Sequence, residues 1–136
     1  MNAAKLSMTN VEKARRYLEV LERGEFSDLA GLFAPQMVSE QFPNRIYPQG
    51  MRFSLAEMAQ SFAKGRTLLA RQTYQIRNEV VAPNRVALEV LWTGVLAVPL
   101  ATLPAGSQMR AHFAMFLDFE DGKITSQRNY DCFDPW

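Results

Sequence analysis

A chain of 136 residues is about one domain long, and with 48% hydrophobic residues it can build one full core. Its 15 basic and 14 acidic residues nearly cancel, and no basic run or stripe appears, which argues against a nucleic-acid partner. The longest apolar stretch, residues 95–103, is broken by Pro99 and Thr102 and is too short to cross a bilayer, so no membrane partner is expected.

The opening residues, MNAAKLSMTN, contain no apolar core of a secretory signal. The single cysteine, Cys132, excludes an internal disulfide and fits a reducing compartment, so the cytoplasm is the expected location. One cysteine and one histidine are too few for a His/Cys zinc site. Residues 1–8 read as a flexible tail and residues 9–136 as a single domain. Thr9-Asn10-Val11-Glu12 has the pattern of a capping box, in which Thr9 caps a helix and Glu12 reaches back. Val11, Ala14, Leu18 and Leu21 then recur at helical spacing up to Arg23, and Gly24 is placed to stop the helix. A second short helix is predicted over residues 27–33, ended by Pro35. Residues 37–42 read as a short strand, and Pro43, Pro48 and Gly50 as a loop that turns over. Ser54 and Glu57 form another capping box, opening a helix with Leu55, Met58, Ala59, Phe62 and Ala63 on one face and a weak end at Gly65.

Strands follow. Residues 73–82 are the first, Pro83-Asn84 turns the chain, and residues 85–98 are long, rich in valine and apolar on both faces. Residues 99–106 make an irregular crossing. The last unit is a hairpin. Met109, Ala111, Phe113, Met115, Leu117 and Phe119 alternate with Gln108, Arg110, His112 and Asp118, with Ala114 and Phe116 as exceptions. Asp121-Gly122 supplies the tight turn, because a two-residue type I′ turn needs positive φ at both positions. Helices first and strands last make the chain α+β with an antiparallel sheet. A strongly curved sheet encloses the third helix and leaves a pocket between them.

The arrangement resembles the nuclear transport factor 2-like superfamily, also called SnoaL-like, on a branch related to ketosteroid isomerase. The residues that carry the resemblance are Arg16-Tyr17-Leu18-Glu19 with Gly24, Leu32-Phe33-Ala34, residues 86–94, and the hairpin from Phe119 to Ile124 followed by Arg128-Asn129-Tyr130-Asp131. It implies a cone-shaped α+β barrel, N-terminal helices packed on a strongly curved antiparallel sheet, a homodimer through that sheet, and no cofactor. Tyr17 resembles the oxyanion-hole tyrosine of the isomerase. The isomerase's general base would fall at Gln41, which cannot take a proton, and its second acid near Met115. Limonene epoxide hydrolase places an Arg and two Asp around a water. The matching positions are Ala87, Glu89 and Asn129, of which only Glu89 is a carboxylate. SnoaL-like cyclases use an acid late in the last strand, and Asp131 resembles it.

Asp131 is thus the candidate proton acceptor, with Tyr17 and Asn129 as hydrogen-bond donors. It reads either as a pocket carboxylate with its pKa raised by apolar walls or as a solvated residue at a strand end. A regular hairpin would pair His112 with Asp131 on one face. One bulge would flip the strand, bring Asn129 and Asp131 beside Phe113 and Met115, and turn His112 outward. Glu89 reads as an outward interface residue or a pocket acid. Gln41, Glu89, His112, Trp92, Phe62, Phe113 and Met115 are the substrate-binding candidates; Trp92, Phe62, Phe113 and Met115 also read as plain core. The expected function is binding of a small apolar molecule, with cofactor-free isomerisation, cyclisation, dehydration or hydrolysis. The alternative is a non-catalytic ligand-binding or dimeric interaction module.

Overall fold

The computed structural model describes residues 8–136, so the expected N-terminal tail lies outside the described residues except for Met8. Helix α1 spans Asn10–Arg23. Thr9 Oγ1 accepts from the Glu12 amide at 3.3 Å, and the Glu12 carboxylate accepts from the Thr9 amide at 2.9 Å, so the box forms as its residue types require. The helix buries Ala14, Tyr17, Leu18 and Val20. The predicted second helix is only a 3-10 turn at Phe26–Leu29. Gly31, at φ 82°, breaks it, and the chain then enters strand β1, Phe33–Gln41, with Pro35 inside the strand. Pro35 lies in the interval between Phe33 and Val38 where the ladder register is interrupted, so its missing amide removes no regular pairing.

After the expected loop comes a four-residue strand that the sequence reading did not include, β2, Met51–Ser54. It pairs with β1, placing Gln41 opposite Met51. The Ser54–Glu57 box then opens α2, Leu55–Leu68, which runs through Gly65 for three more residues. Four antiparallel-linked strands follow: β3, Leu69–Ala82; β4, Arg85–Leu96; β5, Gln108–Glu120; and β6, Lys123–Phe133. Asp121 and Gly122 have φ of 50° and 73°, as the tight turn demands.

The six strands form one open sheet in the order β2-β1-β6-β5-β4-β3. The expected wholly antiparallel sheet is in fact mixed, because β1 runs parallel to β6. The chain reaches β1 through α1 and lays it against the last strand in the same direction. Helices α1 and α2 cover one face of the sheet, which makes this an α+β cone of the nuclear transport factor 2-like type. The covering helices bury every odd residue of β5 from Met109 to Phe119, the set picked out by alternation, together with Val86, Leu88, Val90 and Trp92 of β4. Among the described residues, no helix is long and apolar enough to cross a membrane.

Candidate functional site

The face that β6 turns inward is set by one residue. Phe119 pairs with Ile124, but Asp118 pairs with Ser126, so Thr125 is an extra residue bulged out of the ladder. Beyond it the inward side of β6 changes from even to odd numbers. Met115 therefore lies opposite Asn129 and Phe113 opposite Asp131, while His112 faces Cys132. Of the two registers open to the hairpin, this is the bulged one.

A cavity of about 320 Å³ lies between the concave sheet and the helices. Tyr17, Gln41, Phe62, Trp92, Phe113, Met115, Asn129 and Asp131, all singled out from sequence, line it. Glu89 and His112 do not. Glu89 is exposed on the opposite face of the sheet, where its carboxylate accepts from Asn78 Nδ2 at 3.0 Å. His112 is exposed on that same face, between Leu91 and Cys132 of the neighbouring strands. Both are odd-against-even consequences of the pleat: on β4 the even residues point inward, and on β5 the odd ones do.

The inward polar residues of β6 form a hydrogen-bonded chain with Tyr17 at its end. Tyr17 Oη donates to Gln127 Oε1 at 2.7 Å. Gln127 Nε2 donates to Asn129 Oδ1 at 2.7 Å, and Asn129 Nδ2 donates to Asp131 Oδ1 at 3.2 Å. The carboxylate fixes this direction. An ionised Asp131 only accepts, so Asn129 must turn its NH2 toward it and its oxygen toward Gln127. Gln127 must then turn its own oxygen toward Tyr17. The single Tyr17 proton is therefore used within the protein, so the expected role of Tyr17 as a free donor to a substrate oxygen does not match its geometry. Burial also pushes the tyrosine's pKa well above its usual value, more strongly than the bond to Gln127 lowers it.

Asp131 is half-buried, and burial raises its pKa from the usual 3.8 to about 6, against the smaller lowering effect of the Asn129 hydrogen bond. It belongs to none of the ion pairs among the described residues. Gln41 lies beside Asn129 in the parallel β1–β6 register and offers an amide there, not a carboxylate. Met115 is fully buried.

Residues that the sequence reading passed over complete the lining. Gln127 is buried and sits at the centre of the chain. Its signal was its place two residues before Asn129, which puts it on whichever face Asn129 occupies. Gln72 accepts from Trp92 Nε1 at 2.9 Å and donates to the Leu21 carbonyl at 3.0 Å, tying the indole to the end of α1. Arg66 lines the cavity from α2, but its guanidinium donates to the Val20 carbonyl at 3.1 Å and also to Gly24, both at the C-terminal end of α1, and stacks over Phe62 at 4.7 Å. Among the described residues, no three His, Cys, Asp or Glu side chains gather to hold a metal.

This fold recurs in solved structures. IdmH of Streptomyces antibioticus, a proposed polyketide cyclase, superposes with a TM-score of 0.78 at 15% identity, over 91% of this chain and 92% of that one. AclR of Streptomyces galilaeus, a proposed hydroxylase, gives a TM-score of 0.76 at 17% identity, over 93% and 80%. A proposed polyketide cyclase of Xanthomonas campestris gives 0.71 at 23% identity, over 89% and 88%. At such identities the likeness is one of fold. No curated protein matches the chain. The family model described as "SnoaL-like domain" matches residues 14–127, most of the chain, and the protein therefore belongs to the SnoaL-like family.

Proposed function

We propose that the cavity binds a small, largely apolar molecule and acts on it by cofactor-free acid–base chemistry, with Asp131 as the proton-accepting group. The observation that carries this reading is the Asp131 carboxylate: it sits in a largely apolar cavity with one amide donor and no ion-pair partner among the described residues, and its pKa is raised to about 6. A group poised there is both ionised and a usable base near neutral pH. The polyketide-cyclase and hydroxylase descriptions of structurally similar proteins agree with a small organic substrate. Asn129 holds the carboxylate, and Gln127 and Tyr17 hold Asn129. The exposed Cys132 fits a reducing cytoplasm.

A second reading, a binding module without turnover, is favoured by Gln41, which lines the cavity with an amide where an isomerase-type base would stand. Native mass spectrometry of the freshly purified protein separates binding from none: a bound organic mass lost on denaturation is expected. If neither a bound mass nor a thermal shift appears across a panel of small cyclic molecules, the reading falls. Ketosteroid isomerase activity should stay at background, and turnover that survives Gln41→Ala would show that the base lies elsewhere.

A further inference from the structure

The wall beside Asp131 is aromatic, and the register explains how it is assembled. Asp131 lies opposite Phe113, and Phe133, two residues further along β6, lies opposite Ala111. Ala111 also faces Trp92 on its other side, and Trp92 faces Tyr74. The small alanine lets the larger rings close over it. Trp92 and Phe113 stack at 5.7 Å between centroids, Phe133 meets each of them at 6.0 Å, and Tyr74 lies 6.3 Å from Phe113. Ring faces carry negative charge and attract a cation within about 6 Å.

The Tyr17–Asp131 chain meets this wall with acceptors, while the Tyr74 hydroxyl is a donor on the wall itself. Asp131 receives one hydrogen bond, at Oδ1, and its other oxygen makes none among the described residues. Tyr17 gives its proton to Gln127, so it meets the cavity through its lone pairs. The charged side chains lining the cavity are Asp131 and Arg66, and Arg66 is held on the α1 carbonyls. An anionic carboxylate beside aromatic rings, with no ion-pair partner among the described residues, is complemented by a positive charge that donates hydrogen bonds.

We propose that the ligand of this cavity is an organic cation, an apolar body carrying a protonated amine, with the ammonium held between the Asp131 carboxylate and the rings of Trp92, Phe113 and Phe133. This rests on the cavity being the ligand site, and it names the ligand's polar group: a neutral carbonyl would set its oxygen beside the Asp131 carboxylate and leave that charge without a counter-ion. The N–H groups go to the Asp131 carboxylate, and the adjoining methylenes lie against the rings. The apolar body occupies the remainder of the cavity toward Met58 and Phe62.

The test uses two probes of one shape, phenethylamine and phenethyl alcohol, titrated calorimetrically into the full chain. At about pH 8 the ammonium probe should bind about tenfold or more tightly than the alcohol. Asp131→Asn should remove most of that preference. Lowering the pH to about 4 should have the same effect in the wild type, because of the titratable groups lining the cavity, Asp131, Arg66, Tyr17, Tyr47 and Tyr74, the carboxylate is the one that gains a proton in that range. Equal affinities, a preference for the alcohol, or a preference that survives Asp131→Asn would each overturn the cationic ligand while leaving the cavity as a binding site. Binding of neither probe would overturn this inference, while the proposed function stands or falls with the bound mass and the wider panel.

Discussion

At the scale of single residues, Asp131 and Gln127 make opposite predictions. The folded-state pKa of Asp131 is raised from 3.8 to about 6, so between those values the folded protein holds a proton that the unfolded chain has lost. The stability contributed by the protonated acid is complete below about pH 4 and is lost as the pH rises through about 6. Asp131→Asn removes the burial penalty of the charge. Allowing for partial solvent screening, the variant should be more stable than wild type by on the order of 1 kcal/mol near pH 7, and equal to it near pH 4. Thermal melts should show this as a rise of about 3–4 °C at neutral pH. A loss of stability that grows with pH would mean that the carboxylate is structurally paired, and would count against its role as a base. Gln127 differs because both ends of its amide are engaged: Gln127→Leu strands the Tyr17 hydroxyl and the Asn129 oxygen in a buried place. Denaturant unfolding should show a loss of about 2–3 kcal/mol. Tyr17→Phe added to Gln127→Leu should cost less than the sum of the two single changes, since the hydroxyl left stranded is then gone.

Strand β4 shapes the cavity through an absent side chain. Gly94 faces inward, and a Cβ built on it would stand 2.6 Å from the Trp92 ring and 3.2 Å from a Leu69 methyl group. The indole lies over the glycine, and that position lets its nitrogen reach Gln72. Gly94→Ala must push the ring aside, weakening both the bond to Gln72 and the aromatic wall beside Asp131. A destabilisation of about 1–3 kcal/mol is expected, together with a shift in the intrinsic fluorescence of Trp92. An unchanged emission spectrum and melting temperature would show that the indole packs elsewhere. Strand β6 works by insertion instead. Thr125 Oγ1 donates to the Asp118 carbonyl at 3.3 Å within the bulge. One residue at that point decides which of two side-chain sets the cavity receives.

At the scale of the whole molecule, the convex face of the sheet is unlike an ordinary solvent face. Ala87, Leu91, Ala114 and Phe116 lie on it half-buried, Phe42 stacks on the exposed Tyr130 at 4.6 Å, and Phe116 meets that tyrosine at 5.9 Å. A face of this composition is what a self-complementary, two-fold interface uses. We therefore propose a homodimer through the sheet. Light scattering at micromolar concentration should give twice the chain mass, and Leu91→Arg should yield a folded monomer. A wild type that stays monomeric would leave the apolar convex face without this explanation.

The local parts of this architecture are legible in the residues because their causes are local. Both capping boxes need only a hydroxyl and a carboxylate three residues apart, and the 121–122 turn needs only two residues that tolerate positive φ. The inward side of β5 follows from alternation along one strand. The cone fold was also legible, through the resemblance carried by α1 and the hairpin. Tertiary structure alone decided the parallel seating of β1 on β6, Pro35 inside a strand instead of after a helix, and the bulge at Thr125. These depend on which strand lies alongside, and pairing energy between strands far apart in sequence leaves no periodic trace in either one. The site hung on the last of them. Because side chains alternate with period two, a slip of one residue exchanges every inward side chain for an outward one. The same sequence could therefore present His112 with Asp131, or Asp131 with Asn129 and Gln127 in an apolar cavity, and the packing of β6 between β1 and β5 selects the second.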